Sequence, residues 1–126
     1  MKKIINTKNA PSAIGTYSQA VIHNGVLYTS GQIPIDPNTN EMLENNFQKQ
    51  THQVFRNLQS IAIAANTSLQ NTLKLNIFVK DLSNFAILNE IMAQYFEEPY
   101  PARAAIEVSR LPKDSMVEMD AIIAIR

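Results

Sequence analysis

PARAAIEVSRLPKDSMVEMDAIIAIR, residues 101–126, closes the chain and decides how its sheet is assembled. Two β-prone runs, about Ala102–Ser109 and Met116–Ile125, flank LPKDS, where proline and aspartate favour a turn. The spacing predicts a terminal antiparallel hairpin. In that register Glu118 falls opposite Glu107, and Arg103 lies about 13 Å further along its strand. Arg103 then opens a strand with no partner inside the hairpin at close range. A guanidinium left unpaired in an apolar sheet is costly. It needs either an ion pair with Glu107 or Glu118 or an outside anion, since its fork matches a carboxylate bidentately.

Upstream, LKLNIFVKDL alternates, with Leu73, Leu75, Ile77 and Val79 on one face, which predicts a half-buried strand. Ser83 follows as a helix N-cap, and Phe85, Leu88, Ile91, Met92, Tyr95 and Phe96 form the apolar stripe of that helix. Pro99-Tyr100-Pro101 stops it. An earlier helix is expected from about Phe47 to Ala65, because Phe47, Val54, Phe55, Leu58, Ile61, Ala62 and Ala65 recur at helical spacing. Residues 32–44, with Pro34, Pro37, Asn38 and Asn40, read as a loop. Before it, Asn24-Gly25 separates two β-prone runs as a two-residue hairpin turn, and KKII (residues 2–5) forms a short first strand.

Strand, hairpin, helix, strand, helix and hairpin together describe an α+β layer, with about six strands and both helices on one sheet face. Phe78 and Ile122 lie opposite the main apolar stripes, so the other face is expected to be covered by self-association.

Bulk properties narrow the classes. The 126 residues fit one domain, 1–126, and no repeat or linker divides them. Eleven basic residues balance eleven acidic ones, which implies no strong attraction to nucleic acid or an anionic membrane. The chain has no cysteine, so a disulfide, a thiolate nucleophile and a Cys-based metal site are excluded. MKKIINTKNAPSAIG turns polar after Ile5 and does not read as a signal peptide, and no apolar run approaches a membrane span. Asn66-Thr67-Ser68 then reads as a helix-end loop rather than a glycosylation site. A cytoplasmic protein is the expectation.

Familiar chemical motifs are absent: no GxGxxG, P-loop, HExxH or GxSxG occurs, and His23 and His52 lack metal-ligand spacing. The Gln48-Lys49-Gln50 run and the lysines around Phe78 read as solvated faces. Four features remain: Tyr17 in the N-terminal loop, Ser30-Gly31 at a strand exit, Arg103, and Glu118. Each also has a purely structural reading. Tyr17 would pack, Ser30-Gly31 would end a strand, and Arg103 and Glu118 would form an ion pair.

Four segments in order, NAPSAIGTYSQA (9–20), YTSGQIP (28–34), FVKDLSNFAILN (78–89) and PAR-x-x-I-E-V-S-R-L followed by PKDSM and VEM (101–119), resemble the RidA/YjgF family of reactive imine deaminases. The resemblance implies a chorismate-mutase-like fold and a homotrimer. Its strands would form a central barrel with helices outside, and its active sites would lie between subunits. By the same resemblance Arg103 would bind the substrate carboxylate and Glu118 would position water. Tyr17, Ser30, Gly31 and Asn89 would line the pocket, with the backbone of Ala105 assisting. The implied reaction is hydrolysis of 2-aminoacrylate, 2-iminopropanoate or 2-iminobutanoate, released by pyridoxal-phosphate enzymes, to a 2-keto acid and ammonia. No metal or organic cofactor is implied.

Two residues depart from the family pattern. Ala105 stands where many members carry cysteine, which excludes thiol-based regulation there, and Thr16 replaces a proline before Tyr17. Two other classes of function compete: a non-catalytic module that senses small 2-keto acids, and a ribonuclease or translation inhibitor. Glu118 favours catalysis over mere carboxylate capture, and the balanced charge disfavours the last.

Overall fold

Asn24 and Gly25 both take positive φ, 51° and 74°, and close the expected two-residue hairpin between β2 (Ala20–His23) and β3 (Val26–Thr29). The computed structural model describes residues 1–126. β1 (Lys3–Ile5) adds antiparallel to β2. The other main-sheet strands are β6 (Thr72–Val79), β7 (Ala102–Glu107) and β8 (Val117–Ala124), in the order β1-β2-β3-β8-β6-β7. The six-stranded mixed sheet and its two helices, α1 (Phe47–Ala64) and α2 (Phe85–Met92), establish the α+β class.

The terminal hairpin does not form. β7 pairs parallel to β6 at the sheet edge, whereas β8 runs antiparallel between β3 and β6. Glu118 therefore lies opposite Phe78, and Glu107 beside Val79. Residues 108–116 form a connection long enough to step across β6, about 10 Å for two strand spacings. Burial explains the choice of centre. Val117, Met119, Ala121 and Ile123 of β8 are all buried, while five of the six β7 residues are exposed and the sixth, Ala105, is half-buried. Leaving β8 at the edge would expose that apolar row.

Other expectations shift locally. A β-bulge between Thr72 and Lys74 turns Leu73 outward, leaving Leu75, Ile77 and Val79 on the buried face. Asp81, not Ser83, caps the turn that leads into α2, its carboxylate accepting from the Ser83 N–H at 2.9 Å. α2 ends at Met92, yet Phe96 beyond it is still buried. The 32–44 loop contains a small hairpin, β4 (Ile35–Asp36) and β5 (Glu41–Met42).

Helix α1 follows its predicted stripe, with Val54, Phe55, Leu58, Ile61 and Ala62 packed into the core against the buried sheet face. Its N-cap is Asn46, which accepts from the Lys49 N–H at 3.0 Å. Gln50 is not solvated as expected; it is fully buried. It donates to the carbonyls of Leu43 and Glu44 and accepts from the Met116 N–H at 2.9 Å.

No helix packs on the opposite sheet face. A cross-strand row of Ile4, Val21, Tyr28 and Ile122 crosses it, and Ile106 beside Phe78 continues its apolar character. Ile4, Tyr28 and Ile106 are exposed. No helix is long and apolar enough to cross a membrane.

Candidate active site

Strand parity separates the two residues to which the sequence assigns chemistry. Arg103 pairs with Leu75, whose side chain faces the helices, so Arg103 lies on the helix side of the sheet. Glu118 alternates with buried Val117 and Met119 and pairs with Phe78, on the opposite side. The two belong to different cavities.

Glu118 borders a cavity of about 610 Å³ with Tyr17, Ser30, Gly31, Ile33 and Lys113. Gly31 leaves space for the Glu118 side chain: a Cβ at this position would collide with the Glu118 carboxylate and push it aside. The Gly31 N–H makes no hydrogen bond within the chain. Ser30 is fixed on both sides, its N–H donating to the Gln19 carbonyl at 2.8 Å and its hydroxyl to the Ser18 carbonyl at 2.5 Å. Burial, reinforced by the neighbouring Asp120 charge, raises the Glu118 pKa above the ordinary carboxylate value.

The wall carrying Tyr17 is organised by Gln19, which the sequence reading did not single out. Its buried side-chain amide accepts from the Thr7 N–H at 2.7 Å and donates to the carbonyls of Thr7, Ala10 and Pro11. One glutamine thus ties residues 7–11 to the start of β2. Tyr17 itself is exposed, and its hydroxyl accepts from the Ile14 N–H at 3.3 Å.

Arg103 borders a second cavity of about 380 Å³ with Asn89, Met92, Ala93, Tyr100 and Pro101, and shares no lining residue with the first. The ion-pair expectation fails: neither Glu107 nor Glu118 reaches it, and the ion pairs in the structure are Lys49–Glu44 and Arg110–Asp114. Glu107 instead accepts from the Leu82 N–H at 3.0 Å. The partners of Arg103 are neutral. Its Nη1 donates to Asn89 Oδ1 at 2.7 Å and approaches Met92 Sδ at 3.4 Å, and its guanidinium carbon stands 4.9 Å from the centre of the Phe85 ring. The charge is oriented but not compensated. Ala105 lines neither cavity; it pairs with Ile77 and packs against the core.

The structure thus gathers Tyr17, Ser30, Gly31 and Glu118 in one place and Arg103 with Asn89 in another. Phe85 and Met92 were assigned only to the α2 stripe. Their spacing of four and three residues around Asn89 puts all three on one helix face, a signal present in the sequence. Neither histidine lines either cavity; the Nδ1 of His52 lies 2.7 Å from the Tyr95 hydroxyl.

Residues 7–125 match the family model described as endoribonuclease L-PSP. A crystal structure of RidA from the Antarctic bacterium Psychrobacter sp. PAMC 21119 superposes with a TM-score of 0.94, at 46% identity over 98% of this chain and 99% of that one. The structure of E. coli TdcF with bound serine gives 0.91, at 42% identity over 98% of each chain. A 2-iminobutanoate/2-iminopropanoate deaminase of Dermatophagoides farinae is 37% identical over 98% of this chain and 97% of its own length.

Proposed function

The chain belongs to the RidA/YjgF (L-PSP, RutC) family, and from that premise we propose that it hydrolyses small 2-imino acids to 2-keto acids and ammonia. The observation that carries the reading is Arg103: a guanidinium fixed by an amide oxygen, a thioether and an aromatic face, with no carboxylate beside it. Such a cation awaits an anion. The second half of the machinery, Glu118 beside Gly31, lies on the other side of the sheet. Two copies of the chain are therefore needed, with the Arg103 half of one meeting the Glu118 half of the next. A homotrimer whose apolar sheet faces turn inward supplies that arrangement.

In this site Arg103 holds the substrate carboxylate bidentately through the guanidinium edge that Asn89 leaves free, and so fixes the imine carbon. Glu118 takes a proton from water as the water oxygen bonds to the carbon of the protonated imine and the C=N π pair moves onto nitrogen. The resulting amino alcohol collapses when the proton passes to nitrogen. The C–N bond breaks with its electron pair leaving on ammonia, and the remaining hydroxyl proton is released as the keto group forms. Donors such as the Gly31 N–H stabilise charge on oxygen. The uncatalysed reaction is already feasible, so a few kcal/mol of barrier reduction suffices.

The serine held by the TdcF structure fits a pocket of this chemistry, and supports small amino or keto acids as the ligand class. The test is a trapping assay. A serine or threonine dehydratase generates the imine while semicarbazide captures it. Added wild-type protein should suppress the semicarbazone signal, and Arg103→Ala should restore it at least about tenfold while remaining folded. Suppression by Arg103→Ala equal to wild type would reject the anchor, and no suppression by wild type would reject the deaminase.

A further inference from the structure

We infer that Phe85 is a positioning residue that holds the Arg103 guanidinium in its anion-receiving orientation, an inference that rests on the function proposed above. Arg103 projects from the first turn-proximal positions of an edge strand and is itself exposed. An exposed arginine on an edge ordinarily samples many rotamers, and ordering it on ligand binding costs affinity. Here three residues on one face of α2 constrain it. Asn89 and Met92 both engage the same nitrogen, Nη1, and so fix one end of the planar group. Two contacts at one atom leave the group free to pivot about that end. The Phe85 ring, 4.9 Å from the guanidinium carbon, supplies the remaining constraint: a surface against which the group lies.

The chemistry of the ring matters beyond its shape. An acidic residue at this position would fix the arginine equally well but would neutralise it and compete with the substrate carboxylate. An aromatic face attracts the cation through its quadrupole while leaving the hydrogen-bonding edge unoccupied. Phe85 is partly buried and rests on the core that includes Leu88 and Ile91, so the surface is itself held in place. Orientation thus comes from helix α2 rather than from strand β7.

The test is calorimetric titration of the assembled protein with pyruvate, the stable product of 2-iminopropanoate hydrolysis, in a double-mutant cycle. Phe85→Leu keeps an apolar side chain but removes the ring, and should weaken pyruvate binding roughly three- to tenfold. Phe85→Tyr retains the ring face and should restore wild-type affinity. In an Arg103→Ala background, Phe85→Leu should change the residual affinity no further, since its effect passes through Arg103. KM should rise in step with the dissociation constant, with kcat much less affected. Should Phe85→Leu fold poorly, Phe85→Met provides a second ring-free variant for the same cycle. Equal losses from Phe85→Leu with and without Arg103 would show a general packing role and overturn the inference. Unchanged affinity in Phe85→Leu, with binding still dependent on Arg103, would overturn it while leaving the deaminase reading intact. Pyruvate binding that ignores Arg103→Ala would bring down both.

Discussion

Glu118 carries two opposing demands. In the proposed hydrolysis it acts on water as an ionised base, yet burial and the Asp120 charge favour its protonated form. The folded protein therefore holds this proton more tightly than the unfolded chain does. Its contribution to stability is fully present below the unfolded carboxylate pKa and is lost as pH rises through the higher folded value. At neutral pH the ionised group is a net cost, and a larger residue at Gly31 would displace it. Replacing it with neutral glutamine should raise Tm by about a few degrees at pH 7 and leave it nearly unchanged below pH 4. The same variant should lose at least about tenfold in imine hydrolysis. Thermal scans across pH check the first expectation; a lower Tm at neutral pH would mean that the carboxylate is stabilised by a group not identified in this cavity. In wild type the acid limb of the rate profile should fall above the usual carboxylate range.

At the scale of elements, Gln50 joins three segments distant in sequence: helix α1, the turn at Leu43–Glu44 and the approach to β8 at Met116. Gln50→Leu removes the acceptor of the Met116 N–H and the donor to the Leu43 carbonyl, both partly buried, whereas the Glu44 carbonyl still accepts from the Asn46 N–H. The substitution should cost about 1–3 kcal/mol in urea denaturation at fixed protein concentration; a neutral outcome would show that water reaches these groups. The same residue shows why parts of the fold were illegible in sequence. Local rules located both helices, the Asn24-Gly25 turn and the buried stripe from Leu75 to Val79, because periodicity and turn chemistry act over a few residues. Gln50 looked solvated because its partners are supplied by remote chain. The pairing of β7 and β8 was misread for a related reason: LPKDS is compatible with a tight turn, and only competition for the sheet centre sends β8 past β6. Leu73 left its stripe through a bulge that no alternation pattern records. The motifs picked out Tyr17, Ser30, Gly31 and Glu118, which the fold gathers at one cavity, but gave no sign that Arg103 and Asn89 border another or that Ala105 borders neither. Gln19 closes a loop through carbonyls that no motif marks, whereas Phe85 shares a helix face with Asn89 at a spacing the sequence does carry.

The whole molecule divides its chemistry between two sides of one sheet. Tyr17, Ser30, Gly31 and Glu118 gather around one cavity, Asn89 and Arg103 around another, and the apolar row from Ile4 to Ile122 awaits cover. In the proposed cyclic assembly one surface would both cover the row and bring opposite halves of neighbouring copies together. The central claim is that each site draws Arg103 and Glu118 from different copies, and subunit mixing tests it directly. Arg103→Ala and Glu118→Gln proteins, each inactive alone, would be unfolded together at equal concentration, refolded and assayed for imine hydrolysis. In a cyclic assembly about one interface in four would join an intact Arg103 half to an intact Glu118 half, so activity should return to roughly a quarter of wild type. Mixed assemblies that remain inactive would contradict the account.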